Sequence, residues 1–128
     1  MQTRTKAAPK FLNLMQIRFP IGAIASIGHR VSGVLLLIAL PLLTDILDRS
    51  LRSETDFISL RAAFASPWVV LVLSLGAWAL THHILAGIRH LLMDVGIGSR
   101  LQQARLSARA VIMLSLAMAL YVLIRGLL

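Results

Sequence analysis

The sequence contains no cysteine. Disulfides and thiolate metal ligands are therefore excluded, and any metal held by side chains must be held by histidine, methionine or a carboxylate. Acidic residues are also scarce, with 5 Asp and Glu against 13 Lys and Arg in 128 residues and a net charge of +8. Such basicity can signal nucleic acid, but these cations lie mostly outside the apolar runs, as membrane topology determinants do, so no nucleic-acid partner is expected. Charge of either sign is sparse at 14%, while 58% of residues are hydrophobic and the mean hydropathy is +0.83, too apolar for a soluble domain of this size. The composition predicts an integral membrane protein in contact with a lipid bilayer. A cleavable leader is not expected: residues 1–20 carry Arg4, Lys6, Lys10 and Arg18 without a clean apolar run, and the run that follows contains His29 and Arg30.

The apolar runs are three. Residues 21–43 are apolar apart from Ser26, His29, Arg30 and Ser32. A span beginning after Arg30 would be only about 20 Å long, against a hydrocarbon core of roughly 30 Å, so Ser26, His29 and Arg30 must enter the membrane with the helix. Pro20 suits a first helical turn, Pro41 predicts a kink near the far end, and Gly22 and Ser26, four apart, permit close approach of another helix or a planar ligand. Residues 44–66 hold Asp45, Asp48, Glu54 and Asp56 with Arg49, Arg52 and Arg61, and read as a connecting loop with room for a short interfacial helix. Pro67 and Trp68 open the second run, to residue 88. Its uninterrupted part, 68–80, is again only about 20 Å, which draws His82 and His83 into the span. Residues 89–109 read as a short basic link. The last run, 110–124, reaches full length if Arg109 and Arg125 snorkel at its ends. The expected architecture is an all-α integral membrane protein, a single domain of three transmembrane helices over approximately 21–46, 67–92 and 106–127, preceded by an exposed basic arm over 1–16.

Lysine and arginine number four in residues 1–20 and four in the second connection, including Arg89 and Arg109, against three in the first connection and one at the C-terminus. The positive-inside rule then puts the N-terminus in the cytoplasm and the C-terminus on the opposite side. Ser26-His29-Arg30 and His83-Arg89-His90 thereby meet at the cytoplasmic side.

On a helix, His83, Gly87, His90 and Asp94 fall at i, i+4, i+7 and i+11, a single face able to meet one ligand. Neutral imidazole is a good axial ligand for haem iron, and Gly87 removes a side chain that would obstruct a macrocycle. A second axial ligand would come from His29 or from a partner subunit, although His29 beside Arg30 suits an anion such as a haem propionate. His82 is offset by about 100° from His83, so the two cannot both point into one site. Arg89 reads as a topology anchor, and Ser26 by itself is a weak signal. Two other readings use the same residues: a small helical transporter or proton relay without haem, and a haem-free anchor whose histidines only hydrogen-bond between helices.

Ile17-Arg18-Phe19-Pro20, then Ala23-Ile24-Ala25-Ser26-Ile27 and His29-Arg30-Val31-Ser32-Gly33, resemble the first-helix signature of the cytochrome b556 membrane-anchor subunits of succinate dehydrogenase (complex II). His83-x-x-x-Gly87-Ile88-Arg89-His90-x-x-x-Asp94 resembles the second signature of that family. The third run is similar only in being hydrophobic. The resemblance implies a multi-pass anchor in the bacterial inner membrane, pairing with a second anchor subunit and docking an iron-sulfur subunit and a flavoprotein subunit. Such complexes belong to the tricarboxylic acid cycle and pass electrons from succinate to ubiquinone, with haem b shared between the anchors. Carried over by position, the resemblance implies His83 as the axial haem ligand, His29, Arg30 and His90 near the propionates, and Ser26 and Arg30 in the quinone pocket, with the other axial ligand from the partner anchor. No residue of this chain is implied in succinate chemistry. His82, where the family often has an aromatic residue, and Gly28, where a bulkier apolar residue is common, depart from the pattern.

Overall fold

A computed structural model describes residues 19–128; the expected arm over 1–16, and Ile17 and Arg18 of the first motif, lie outside them. The described elements are all helical: α1 (Ile21–Arg52), α2 (Glu54–Phe64), α3 (Pro67–Asp94) and α4 (Leu101–Leu127). Helices α1, α3 and α4 are each long and apolar enough to cross a membrane, so the all-α, three-span expectation holds.

The connections differ from those expected. Helix α1 continues beyond the expected end near residue 46 and runs 32 residues, to Arg52, through Pro41 and through the first half of the acid-rich stretch. The i,i+4 pairs Asp45–Arg49, at 3.0 Å, and Asp48–Arg52 give that polar segment helical support, and the Thr44 hydroxyl donates to the Pro41 carbonyl at 2.8 Å. The helix stops at Ser53, whose extended backbone (φ −157°, ψ 159°) starts α2 and whose hydroxyl accepts the Asp56 N–H at 3.1 Å. Glu54 and Asp56 in the first turn complement the helix dipole. The short helix anticipated in this connection is thus α2, and Phe57, Leu60 and Phe64 line a shallow pocket with Ile46 of α1. Pro20 caps α1 from outside rather than filling its first turn, while Pro67 occupies the first turn of α3. The second link shrinks to residues 95–100, because α3 carries Arg89 and His90 on to Asp94.

Helix α3 is the centre of the bundle and runs antiparallel to both neighbours. Against α4, Ser74 donates to the Ala119 carbonyl at 2.7 Å, His82 meets Ser115 at 3.1 Å and Arg89 meets Ser107 at 3.1 Å, a ladder descending one helix as it climbs the other. Against α1, His82 reaches Ala25, while Gly22, one turn earlier, faces Arg89. Helices α1 and α4 therefore run in the same direction, and the start of α1 lies at the opposite end of the bundle from the end of α4. The buried positions are small: Ala25, Ser32, Val70, Ala79, Ala86, Ala108, Val111 and Ser115. That is how helices associate where no hydrophobic drive distinguishes neighbour from lipid, by close backbone approach and interhelical hydrogen bonds. Large side chains such as Leu37, Ile38 and Leu114 are exposed on the single chain.

One close approach carries a prediction. A Cβ added at Gly126 would lie 2.6 Å from Val70 Cγ1, so Gly126→Ala should destabilise the α3–α4 hairpin by about 1–3 kcal/mol. A lowered midpoint of detergent unfolding would show it, with Val70→Ala relieving the effect in the double variant.

Candidate functional site

The structure gathers three of the four histidines at one end of the bundle. The rings of His29 and His83 stack, with centroids 4.2 Å apart and planes 15° from parallel, and His90 lies 5.4 Å from His29 at a tilt of 53°. This is the convergence of the first and second polar motifs expected from topology. All three rings are half-buried, leaving them reachable from the surface of the chain.

His83 is oriented from behind. Its Nδ1 lies 3.2 Å from the His29 carbonyl and 3.4 Å from the Ser32 hydroxyl, which itself donates to the same carbonyl at 2.8 Å. A carbonyl can only accept, so Nδ1 carries the proton of the neutral ring and donates it. The lone pair is then on Nε2. Histidine ligands of metals are commonly held in this way, the other ring N–H fixed on a backbone carbonyl. Gly33 makes the approach feasible: a Cβ there would be 3.1 Å from His83 Cε1.

His82 has the opposite arrangement. It is buried, with Nε2 at 3.1 Å from the Ala25 carbonyl and Nδ1 at 3.1 Å from the Ser115 hydroxyl. Nε2 must donate to that carbonyl, and Nδ1 accepts from Ser115, whose alternative acceptor is the Ile112 carbonyl at 3.0 Å. Both nitrogens are used within the protein. The offset of about 100° read from the helix period thus separates two stripes on α3. His82, Ala86 and Arg89 face inward, and His83, Gly87 and His90 face His29 or the surface.

Other residues fall differently from their sequence reading. Arg89 is not an outward anchor: it is buried, its Nε donating to Ser107 Oγ at 3.1 Å and Nη2 to the Ala104 carbonyl at 3.2 Å. Gly87 has His29 as its neighbour, Nε2 lying 3.6 Å from where a Cβ would be, so the room it leaves is taken by that ring. Ser32 was not singled out in sequence, although a serine three residues beyond His29 is placed to bond its carbonyl. Ser26 is half-buried, and its hydroxyl has no hydrogen-bond partner among the described residues, unlike Ser32, Ser74, Ser107 and Ser115. Arg30 is exposed on the single chain and has no carboxylate partner among the described residues, whose ion pairs are Asp45–Arg49 and Asp48–Arg52. The apolar cavity of about 270 Å³ beside Arg89, lined also by Leu85, Ile88, Leu92 and Val111, shares no residue with the histidine group.

Fold and site together define a polytopic membrane protein with a histidine group at one end and, beside it, an arginine without a carboxylate partner among the described residues. The chain belongs to the succinate dehydrogenase/fumarate reductase transmembrane subunit family, whose model matches residues 4–122. It is similar to a protein named succinate dehydrogenase cytochrome b556 subunit from Coxiella burnetii (strain RSA 493 / Nine Mile phase I), 37% identical over 108 residues that cover 84% of this chain and 86% of the relative. A second protein of that name, from Paracoccus denitrificans, is 36% identical over 119 residues covering 88% of this chain and 86% of the relative. The chain is thus a membrane subunit of an enzyme complex, and its bacterial relatives fit an inner-membrane location.

Proposed function

We propose that this chain is the haem b- and quinone-binding anchor of a succinate dehydrogenase, with His83 Nε2 as its ligand to the haem iron. The observation that carries this reading is the 3.2 Å approach of His83 Nδ1 to the His29 carbonyl, an acceptor that draws the ring proton to Nδ1 and leaves the lone pair on Nε2. The donor set fits the group: a half-buried imidazole whose Nδ1 is held on a backbone carbonyl, leaving Nε2 as the donor atom. A haem b held there supplies a one-electron reservoir within the membrane. His29, Arg30 and His90 are the groups on this chain that would meet its propionates, and the second histidine ligand would come from the partner anchor.

In the same reading, Ser26 and Arg30, one turn apart on α1, hold the quinone. A quinone carbonyl oxygen gains negative charge on reduction, so a hydroxyl and a guanidinium aimed at it stabilise the reduced form more than the oxidised one. Among the described residues neither the Ser26 hydroxyl nor the Arg30 guanidinium has a side-chain partner, which leaves both available for that purpose. An exposed guanidinium within an apolar helix also needs covering, which a second anchor subunit packed on this face of α1 would provide. The start of α1 and the end of α3 would face the cytoplasm, where the iron-sulfur and flavoprotein subunits dock and from which protons reach the quinone. A transporter or proton relay gains no such support: the His83 N–H ends on a backbone carbonyl, where a proton cannot pass on.

The test is the reduced-minus-oxidised spectrum of the purified complex together with its succinate:quinone reductase activity. A b-type haem band and quinone-dependent turnover are expected. A complex competent in quinone reduction but without that band would reject the haem assignment.

A further inference from the structure

We propose that His82 is a positioning residue for both cofactor groups and that Gly28 is the space reserved for it; this rests on the haem- and quinone-binding reading. Three described hydrogen bonds join α1 to α3. Two share the single Nδ1–H of His83, forked between the His29 carbonyl and the Ser32 hydroxyl, and the third runs from His82 Nε2 to the Ala25 carbonyl. Ala25 immediately precedes Ser26 and stands one turn before His29, while His82 immediately precedes His83. The His82–Ala25 bond therefore fixes the register of α1 on α3 where the quinone turn and the iron ligand meet. Its Nδ1 extends the same tie to Ser115 of α4, so one buried ring clasps all three spanning helices.

The clasp leaves no room on α1. A Cβ at Gly28 would lie 2.5 Å from His82 Nε2, 3.0 Å from Cε1 and 3.2 Å from Cδ2, along one edge of the ring. The ring cannot simply swing aside, because Ser115 holds its other nitrogen and Trp78 lies against it, centroids 5.4 Å apart. The histidine at 82 and the glycine at 28 are thus two halves of one contact. Ordinary core packing would make them matter for assembly alone. Positioning makes them matter for the chemistry of complexes that have assembled.

The experiment compares Gly28→Ala, His82→Ala, the double variant and His82→Gln in the intact purified complex, with quinone KM and haem midpoint potential measured per assembled haem. Gly28→Ala and His82→Ala are each expected to raise quinone KM about tenfold and to displace the haem potential. The double variant should be no worse than the poorer single one, since both remove the same bond. His82→Gln, which keeps an amide N–H for the Ala25 carbonyl, should recover most of the loss. Unchanged KM and potential in both single variants, or additive losses in the double, would overturn the proposal. If Gly28→Ala prevents assembly, the double variant must restore it, and its failure to do so also overturns the pairing. A parent complex lacking b haem would instead reject the underlying haem reading, an outcome seen before any variant is made.

Discussion

Replacing His83 with leucine should abolish the native b-type haem spectrum of the complex, whereas His82→Leu should retain haem, with altered properties. The two residues are adjacent and chemically identical, so the difference must come from what holds each ring. His83 donates from Nδ1 to the His29 carbonyl, with Ser32 bonded to that same carbonyl, and Nε2 keeps its lone pair. His82 spends Nε2 on Ala25 and Nδ1 on Ser115 in a buried setting, so binding iron would require breaking an interhelical bond and rotating a packed ring. Removing an axial ligand removes a coordinate bond outright; removing a neighbour's hydrogen bonds costs about 1–3 kcal/mol and shifts the ligand field only through geometry. Haem content and the reduced spectrum, measured on both variants, check the prediction.

Arg30→Leu should lower succinate:quinone reductase activity by about a hundredfold and Ser26→Ala by about tenfold, by analogy with the loss of a charged or neutral donor from an oxyanion site. Arg30 carries the larger effect because its charge has no carboxylate partner among the described residues, so its field is not already neutralised. Electron transfer to a flavin-level dye should survive in both variants, since that chemistry precedes the quinone. Measuring the two activities side by side separates a quinone defect from a failure of assembly, which would lower both.

The spans were legible because hydropathy and helix rise are local quantities. The arithmetic that drew Ser26, His29 and Arg30 into the first span, and His82 and His83 into the second, needed only a bilayer thickness, and the structure makes both segments helical throughout. The separation of His82 from His83 was legible for the same reason, as a helical period. What lay beyond reach depends on which neighbour a stripe meets. Arg89 looked like an outward anchor because nothing in α3 announces Ser107 and Ala104, 15 to 18 residues further along and on another helix. Gly28 reads in sequence only as a departure from the pattern, because the ring that needs its space is 54 residues away, a contact fixed by how α1 crosses α3. Residues 44–52 looked like a loop because charge density suggested solvent, whereas pairing at i,i+4 let the helix continue into it.

The most direct measurement is ligand rescue at the paired histidines. His83→Gly and His82→Gly complexes are purified, and imidazole is titrated against the reduced and oxidised haem spectra. The His83→Gly complex should lose its native spectrum and regain it as free imidazole replaces the missing ring, while His82→Gly should show no imidazole dependence. A native spectrum in His83→Gly without imidazole, or imidazole dependence in His82→Gly alone, would contradict the assignment of iron to His83.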